Sequence, residues 1–401
     1  MDLFEKCYHF TNGIDSWGKE YEAVREAGLY PYFVPIQSSA DTEVIIDGKK
    51  KVMIGSNNYL GLTHHPKVIE AAEMAMRKYG SGCTGSRFLN GTLDIHIALE
   101  EALAAFVHKE AALVFSTGFQ VNLGVIDALI GRRDTAFIDS LSHACVVDGC
   151  RLAWGDMVRF QHNDLEDLSH KLESTNSRGG KLIMVEGIYS MEGDIGDIPG
   201  VTEVAQKHQC RLMVDDAHGV GVLGPTGAGT VEHFGAEDQV DLIMGTFSKS
   251  FACIGGFVAA EASVIDYLKH HANTLLFSAS MPPSAVATVH AALEIIKSEP
   301  ERRERLWRNA RKVQEGLQSM GYDTRNSRTP VVPVIVGEDM DTFMFWKCLL
   351  DEGIFTNPVV SPGVPPGTAR LRTSYMASHT DNQLDFVLGK FDKVGRKLGI
   401  I

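Results

Sequence analysis

Several features that mark special classes of protein are missing from this sequence of 401 residues. Its seven cysteines form no C-x-x-C pair and are odd in number, which argues against zinc and against a disulfide framework. The net charge of −13 argues against nucleic acid or an anionic membrane surface as the main partner. No apolar run is long enough to cross a bilayer. The opening MDLFEKCYHF lacks a basic-then-apolar leader, so we expect a cytoplasmic protein with reduced thiols and no metal site.

Six apolar runs alternate with mostly helical stretches through the middle of the chain. They are AALVF (111–115), TAFID (135–139), KLIMVE (181–186), RLMVDD (211–216), VDLIMGT (240–246) and GGFVAA (255–260). Continuous apolar strands separated by helices predict an α/β fold, with a mostly parallel central sheet covered by helices on both faces.

The region beyond residue 320 mixes short strands with helices and predicts a smaller C-terminal α+β domain. We expect an N-terminal segment at 1–57, a large domain at 58–290 and a small C-terminal domain at 291–401. A long helix near 283–297 is the predicted linker. The chain length suits such a division, since domains average roughly 100–200 residues.

Polar side chains that could bind a ligand or take part in catalysis follow the ends of the predicted strands. In sheets of this kind, ligands bind at the carboxyl ends of the strands. The residues found there are the helix-opening segment 116–122, His143, Glu186, Asp215 with Asp216 and His218, and Lys249.

Each of these features also has an ordinary structural explanation. The segment after residue 115 could simply cap a helix, and so could His143. Glu186 could equally be a site residue or a residue that hydrogen-bonds within the turn after its strand. Two adjacent acids, Asp215 and Asp216, cost desolvation free energy unless a positive group meets them, and that group could be a ring nitrogen or an internal arginine or lysine.

In combination, the strand ends supply what pyridoxal 5′-phosphate (PLP) needs. A helix N-terminus suits a phosphate, and an imidazole could stack on the flat ring. An acid could pair with the pyridinium nitrogen, and a partly buried lysine could bind the aldehyde as a Schiff base. The pattern predicts Lys249 as that lysine, with the hydroxyls of Ser248 and Ser250 near the phosphate.

A set of motifs carries a family resemblance over nearly the whole chain, from about residue 20 onwards. The motifs are GSNNYLGL (55–62), GSRFLNGT (85–92), STGFQ-x-N (116–122), VEGIYSMEGD (185–194), VDDAHGVGVLG (214–224), GTFSKS (245–250), FSASMPP (277–283) and RLRTS (370–374). With them the sequence resembles the α-oxoamine synthases. These are fold-type I PLP-dependent transferases that join an amino acid to an acyl-CoA with loss of CO₂.

Within that family, the sequence is most similar to bacterial members that use L-serine and palmitoyl-CoA. The segments that indicate this are PIQS (35–38), GCTGSRFLNGTLDIH (82–96), GTFSKSFACIGGF (245–257) and NPVVSPGVPP (357–366). The resemblance implies a decarboxylative condensation to 3-ketosphinganine, CoA and CO₂, the first step of sphingolipid synthesis. Three alternatives stay open: another α-oxoamine synthase, such as a ligase of glycine and acetyl-CoA that makes 2-amino-3-ketobutyrate; a non-catalytic regulatory member; and an aminotransferase.

The resemblance also implies roles for individual residues. Lys249 forms the Schiff base, Asp215 pairs with the ring nitrogen, and His218 donates to the phenolic oxygen of the cofactor. His143 stacks on the ring and contacts the substrate carboxylate. Further cofactor contacts are implied for Gly118, Phe119, Glu186, Ser190, Thr246, Ser248 and Ser278, and substrate contacts for Asn57 or Asn58, Arg372 and Arg370.

A shared active site of this kind implies an obligate homodimer, in which Ser278 reaches the cofactor of the partner subunit. The alternative is a monomer whose segment 277–283 packs internally. The resemblance leaves open whether the protein touches the inner face of the membrane.

Overall fold

The computed structural model describes residues 2–11 and 16–401, so residues 1 and 12–15 of the predicted N-terminal segment 1–57 lie outside the described part. In chain order, the described helices are α1 (Glu5–Thr11), α2 (Ser16–Glu26), α3 (Pro66–Tyr79), α4 (Asp94–Phe106), α5 (Gly118–Leu129), α6 (Ala144–Leu152), α7 (Leu165–Ser174), α8 (Ile198–Lys207), α9 (Thr230–Phe234), α10 (Ala262–His271), α11 (Asn273–Leu276), α12 (Pro283–Ser298), α13 (Glu301–Met320), α14 (Asp339–Asp351) and α15 (Asp381–Leu398). The described strands are β1 (Glu43–Ile46), β2 (Lys49–Met53), β3 (Ala111–Phe115), β4 (Thr135–Asp139), β5 (Asp156–Phe160), β6 (Lys181–Glu186), β7 (Arg211–Asp215), β8 (Leu242–Thr246), β9 (Gly256–Ala260), β10 (Val331–Gly337), β11 (Ile354–Phe355), β12 (Asn357–Val359) and β13 (Ala369–Ser374).

Seven of these strands form one sheet in the order β3–β9–β8–β7–β6–β4–β5. The pairs β4/β5, β4/β6, β6/β7 and β7/β8 are parallel, whereas β9 runs antiparallel to both of its neighbours. The predicted α/β fold with a mostly parallel central sheet is therefore confirmed. Since β3 and β8 are both antiparallel to β9, they point the same way, and the carboxyl ends of β3, β4, β6, β7 and β8 lie at one edge.

The six apolar runs all form strands of this sheet, and their observed bounds differ from the predicted ones by two residues at most. Every residue of β4, β8 and β9 is buried, as expected for strands covered by helices on both faces. The sequence pattern missed β5, which lies at the sheet edge. Only the last of its five residues is buried, so it shows no apolar run.

The described chain divides into two compact units, and each is considered by itself. The first contains residues 1–56, 309–375 and 379–401, and the second contains 57–308 and 376–378. The first unit has a sheet of β1, β2 and β11 and an antiparallel sheet of β10, β13 and β12. The N-terminal strands thus pair with a strand from the C-terminal half, because β11 runs parallel to β2.

The second unit extends past the predicted linker. The helix expected near 283–297 is α12, which packs against α3 and α4 inside this unit. Residues 291–308 fall within this second unit. The predicted domain boundaries themselves stay a prediction.

Arg87, in the motif GSRFLNGT, forms a buried ion pair with Glu100 on α4. The Arg87 nitrogens Nη1 and Nη2 lie 2.7 and 3.0 Å from the two carboxylate oxygens of Glu100. The two side chains are 8% and 7% exposed. Glu100 also accepts the backbone N–H of Val114 at 2.9 Å, so the pair joins the 85–92 segment, α4 and β3.

Replacing Arg87 by methionine should leave the buried Glu100 carboxylate without its cation. We expect Arg87→Met to lower the free energy of unfolding by about 3–5 kcal/mol. Lys297→Met is the matched control, because it removes a surface ion pair with Glu294 and should cost at most about 1 kcal/mol. Urea unfolding followed by circular dichroism measures both. Equal losses in the two variants would contradict the role given to the Arg87 pair.

Candidate active site

A cavity of about 410 Å³ opens at the carboxyl edge of the central sheet, within the second unit. Nine residues predicted for cofactor binding or catalysis line it together: Gly118, Phe119, His143, Glu186, Asp215, His218, Thr246, Ser248 and Lys249. They come from the ends of β3, β4, β6, β7 and β8 or from the segments that follow. The parallel strands therefore bring together residues that lie up to 131 positions apart in the chain.

The N-terminus of α5 forms one wall of the cavity. The Thr117 side chain caps the helix by accepting the backbone N–H of Gln120 at 3.1 Å. A Cβ atom on Gly118 would lie 2.5 Å from Oγ1 of Thr246, so a glycine is needed for this close approach. The hydroxyls of Thr246 and Ser248 lie 3.0 Å apart beside it. First-turn N–H groups and two hydroxyls make this wall suitable for an anion.

Asp215, at the end of β7, is 7% exposed and receives two hydrogen bonds. Asn122 Nδ2 donates to its Oδ2 at 2.7 Å, and the Ala217 backbone N–H donates to its Oδ1 at 3.1 Å. The other side-chain atom of Asn122, Oδ1, is buried and has no hydrogen-bond partner among the described residues. Both contacts donate to the carboxylate and so fix its orientation at the edge of the cavity.

The neighbouring acid, Asp216, faces away from this arrangement. Its oxygens accept the hydroxyl and the backbone N–H of Thr230, both at 2.6 Å. Complete burial raises the pKa of Asp216 to about 7, although the bonds from Thr230 oppose the shift. The protein groups that donate to the two acids are neutral. A positive partner for Asp215, such as a ring nitrogen, stays a prediction.

His218 is held by a tyrosine that the sequence analysis did not single out. Its Nδ1 lies 2.7 Å from the Tyr59 hydroxyl, which lies 3.4 Å from Oδ1 of Asn57. Asn58 is turned into its own loop, where it donates to Thr63 and accepts the Leu62 backbone N–H. This arrangement favours Asn57 over Asn58 as the substrate contact, which stays a prediction.

Two atoms of Cys145 contact the His143 imidazole at the N-terminus of α6. The Cys145 backbone N–H donates to Nδ1 at 3.2 Å, and the Cys145 sulfur lies 2.8 Å from the same atom. A backbone N–H can only donate, so Nδ1 is the acceptor nitrogen and the ring proton of neutral His143 lies on Nε2. Desolvation lowers the pKa of His143, despite the opposing charge of Asp215, and so favours this neutral form.

Glu186 accepts a hydrogen bond from the backbone of His143. Its Oε1 accepts the His143 backbone N–H at 2.6 Å. Burial, followed by the charge of Asp215, raises the pKa of Glu186 well above its ordinary value. Glu186 is therefore tied to the backbone of His143 as well as exposed to the cavity.

Comparison with known proteins agrees with this arrangement. The family model for class I and II aminotransferases matches residues 49–391. A serine palmitoyltransferase of Sphingobacterium spiritivorum is 52% identical over 94% of this chain and 95% of that protein. One of Bacteriovorax stolpii is 47% identical over 92% of this chain and 88% of that protein. The chain belongs to the class I and II aminotransferase family. Its resemblance to the α-oxoamine synthases is confirmed.

Solved structures and a further relative extend the comparison. The Sphingomonas wittichii serine palmitoyltransferase is 39% identical with a TM-score of 0.95, and each chain is covered in full. A structure of SPT with a PLP internal aldimine has the same TM-score at 38% identity, again over both chains in full. An 8-amino-7-oxononanoate synthase of Symbiobacterium thermophilum is 43% identical over 96% of this chain and 98% of that protein.

Several residues singled out for this family member do not line the cavity. Ser278 accepts a hydrogen bond from Gln120 on α5, and Ser190 lies half-buried in the segment that follows β6. Ser250, expected near the phosphate, is buried, and the nearby Gly221 leaves space for its side chain. Arg370 and Arg372 belong to the first unit, where both are buried on β13. Their assignment to the substrate stays a prediction.

Two residues of the site escaped the sequence analysis as functional candidates: Cys145, which lines the cavity, and Asn122, which contacts the cavity residue Asp215. Asn122 ends the motif STGFQ-x-N, and its position one helical turn after Gly118 was the available signal. Cys145 follows His143 by two residues, and burial raises the pKa of its thiol to about 12. Asn122 also donates to the Cys145 sulfur at 3.0 Å, so one amide supports both Asp215 and the neighbour of His143.

Replacing Glu186 by glutamine tests the burial of its carboxyl group. A folded-state pKa raised above the ordinary 4.5 means that the ionised acid destabilises the folded protein increasingly as the pH rises above that value. Glutamine keeps an oxygen that can accept the His143 N–H. We therefore expect the unfolding midpoint of Glu186→Gln to rise relative to wild type between about pH 5 and about pH 8.

Thermal unfolding of the cofactor-free protein at both pH values measures this difference. The control is Glu203→Gln, an exposed position on α8, where the difference from wild type should stay constant. A difference for Glu186→Gln that stays flat or falls with pH would contradict the expected direction.

Proposed function

We propose that this protein catalyses the PLP-dependent decarboxylative condensation of L-serine with a long-chain acyl-CoA. With palmitoyl-CoA, the products are 3-ketosphinganine, CoA and CO₂. The observation that carries the proposal is the meeting of Lys249, Asp215, His218 and His143 with the α5 N-terminus in one cavity. Relatives named serine palmitoyltransferase at 47–52% identity over most of the chain support the choice of substrates.

The residues present fit the cofactor. Lys249 offers the amine, Asp215 a carboxylate for the ring nitrogen, and His218 a donor for the phenolic oxygen. The Gly118 and Phe119 N–H groups, with the hydroxyls of Thr246 and Ser248, would hold the phosphate. His143 would stack on the cofactor ring, and Glu186 would contact the cofactor beside it. Ser190 and the partner's Ser278 would make the remaining cofactor contacts. When bound, PLP supplies an electron sink that stabilises negative charge at the amino-acid α-carbon.

The side chains then divide the remaining tasks. Neutral His143 presents an Nε2–H, since its Nδ1 accepts from Cys145, and this N–H can hold the serine carboxylate. Lys249, once its amine is free, takes the proton from the serine α-carbon as general base and later returns one. Asp215, held by Asn122 and Ala217, supplies negative charge at the base of the cavity. Asn57, Arg372 and Arg370 are proposed to orient the serine carboxylate.

We propose that the protein works as a homodimer with shared active sites in the cytoplasm. Phe277 is 83% exposed beside Ser278, and Phe88 and Leu89 are 54% and 78% exposed, so a second copy would cover apolar surface. Within residues 2–11 and 16–401, no helix is both long enough and apolar enough to cross a membrane.

The second candidate function is the same type of condensation with a different amino acid and a different acyl donor. The 43% identity to an 8-amino-7-oxononanoate synthase favours another α-oxoamine synthase over an aminotransferase or a regulatory member. The glycine and acetyl-CoA reaction belongs to the same class. Each of the α-oxoamine synthase reactions would release free CoA, whereas an aminotransferase or a regulatory member would not, so one assay can compare them.

The deciding measurement is CoA-thiol release over a grid of L-serine, glycine and L-alanine against acetyl-, octanoyl- and palmitoyl-CoA. We expect release with serine and long chains. Release confined to glycine with acetyl-CoA, or to alanine, would replace the proposed substrates and keep the proposed cofactor site. No release with any pair would refute the proposed activity.

Replacing Lys249 by alanine should remove both the Schiff-base amine and the general base. We expect Lys249→Ala to lose turnover by at least ~100-fold, while circular dichroism and the unfolding midpoint stay close to wild type. Lys207→Ala, on α8 and paired at the surface with Glu173, is the control and should keep full activity. Wild-type turnover in Lys249→Ala would refute the assignment.

A further inference from the structure

Beside the cavity lies a charged cluster for which the proposed function assigns no role. The imidazole of His162 lies between two carboxylates. Its Nδ1 is 3.1 Å from both oxygens of Asp139, and its Nε2 is 2.9 Å from Oδ2 of Asp194. Asp139 is 1% exposed, and the other two side chains are about one-fifth exposed.

Both ring nitrogens of His162 must donate hydrogen bonds in this arrangement. A neutral imidazole carries one N–H, whereas an imidazolium carries two, so the two carboxylates require the charged form. Burial by itself lowers the pKa of His162, but the bonds to Asp139 and Asp194 outweigh it and raise the value to about 10. The same contact keeps the pKa of Asp139 below its ordinary range, despite its burial.

The two carboxylates belong to two different segments, one that leads to the cavity residue His143 and one that follows the cavity residue Glu186. Asp139 ends β4 and also accepts the backbone N–H of Leu141 at 2.8 Å and that of Asn163 at 3.0 Å. Asp194 ends the segment that follows β6 and also accepts Nδ2 of Asn163 at 3.0 Å. His162 and Asn163 therefore join the beginning of the segment 139–143 to the end of the segment 187–194.

A second chain of contacts joins the opposite ends of the same two segments. The Tyr189 ring packs edge-on against His162, with centroids 4.4 Å apart. The Tyr189 hydroxyl accepts the backbone N–H of Glu186 at 3.3 Å. Glu186 in turn accepts the backbone N–H of His143 at 2.6 Å. The contacts form a closed ring, from Asp139 through His162, Tyr189 and Glu186 to His143, which lies four residues after Asp139.

We propose that His162 is a positioning residue, whose cation holds Asp139 and Asp194 together and thereby sets where His143 and Glu186 stand in the cavity. Its action on turnover rests on the proposed function, in which His143 faces the cofactor and substrate. Its action on the two segments does not rest on that function. Misplacement by about 1 Å far from the reacting atoms can cost on the order of 100-fold in rate.

The test replaces His162 by glutamine in the purified full-length protein and follows hydrogen–deuterium exchange. We expect faster exchange in both 140–146 and 187–195, because each segment loses its link to the other. We also expect kcat with serine and palmitoyl-CoA to fall by on the order of 10-fold to 100-fold, with little change in the KM for palmitoyl-CoA. His208→Gln is the matched control, since His208 lies 3.9 Å from a single carboxylate at the C-terminal cap of α8 and should change neither readout.

Asp194→Asn is the second variant, in case His162→Gln does not fold. It removes one of the two anions and should speed exchange in 187–195 while leaving the bond between His162 and Asp139. The proposal is overturned if faster exchange is confined to 161–163, or if the folded variants keep wild-type kcat and exchange. If the wild-type protein does not turn over serine with palmitoyl-CoA, the proposed function fails. The exchange results then decide the positioning role by themselves.

Discussion

The parallel pairing of β4, β6, β7 and β8 is the constraint on which the rest of the second unit depends. Strands that run the same way have their carboxyl ends at one edge, and they can be connected only by crossovers that cover the faces of the sheet. The interiors of the covered strands are apolar, whereas their last residues include Asp139, Glu186, Asp215 and Thr246. One geometric rule therefore places the polar residues together and removes them from bulk water.

Burial at this edge creates an electrostatic problem, because Asp139, Glu186, Asp215 and Asp216 are all buried there. The structure resolves it with a different partner for each acid. Asp139 meets the cation of His162, Asp215 meets an amide and a backbone N–H, and Asp216 meets Thr230. Glu186 meets one backbone N–H and keeps a strongly raised pKa.

These different partners decide where charge resides in the cavity. A carboxylate that accepts hydrogen bonds only from neutral groups can still pair with a positive ligand. The negative charge of a carboxylate beside an internal cation is already balanced. Asp215 is of the first kind and Asp139 of the second. This distinction explains why the acid at the end of β7 suits a cationic ring nitrogen, while the acid at the end of β4 serves to hold the structure.

Much of the arrangement could be predicted from the sequence. Buried strands appear as apolar runs, and the polar residues at their ends appear in short motifs. The apolar runs predicted six of the seven strands of the central sheet, and β5 escaped because an edge strand needs no apolar run. The motifs predicted Lys249, Asp215, His218 and His143, which do meet in one cavity. They did not predict Tyr59 as the neighbour of His218, since the two are 159 residues apart and a buried tyrosine carries no local mark.

The sequence by itself determined the class of fold, the family and the residue types that the chemistry requires, since each of these depends on local pattern. The tertiary structure alone decided which polar groups hydrogen-bond to the residues of the site. Asn122 meets Asp215 across 93 residues, and His162 meets Asp194 across 32. Hydrogen bonds of this kind depend on distances of a few tenths of an ångström and on the exclusion of water. Both arise only when the strands, helices and loops have packed.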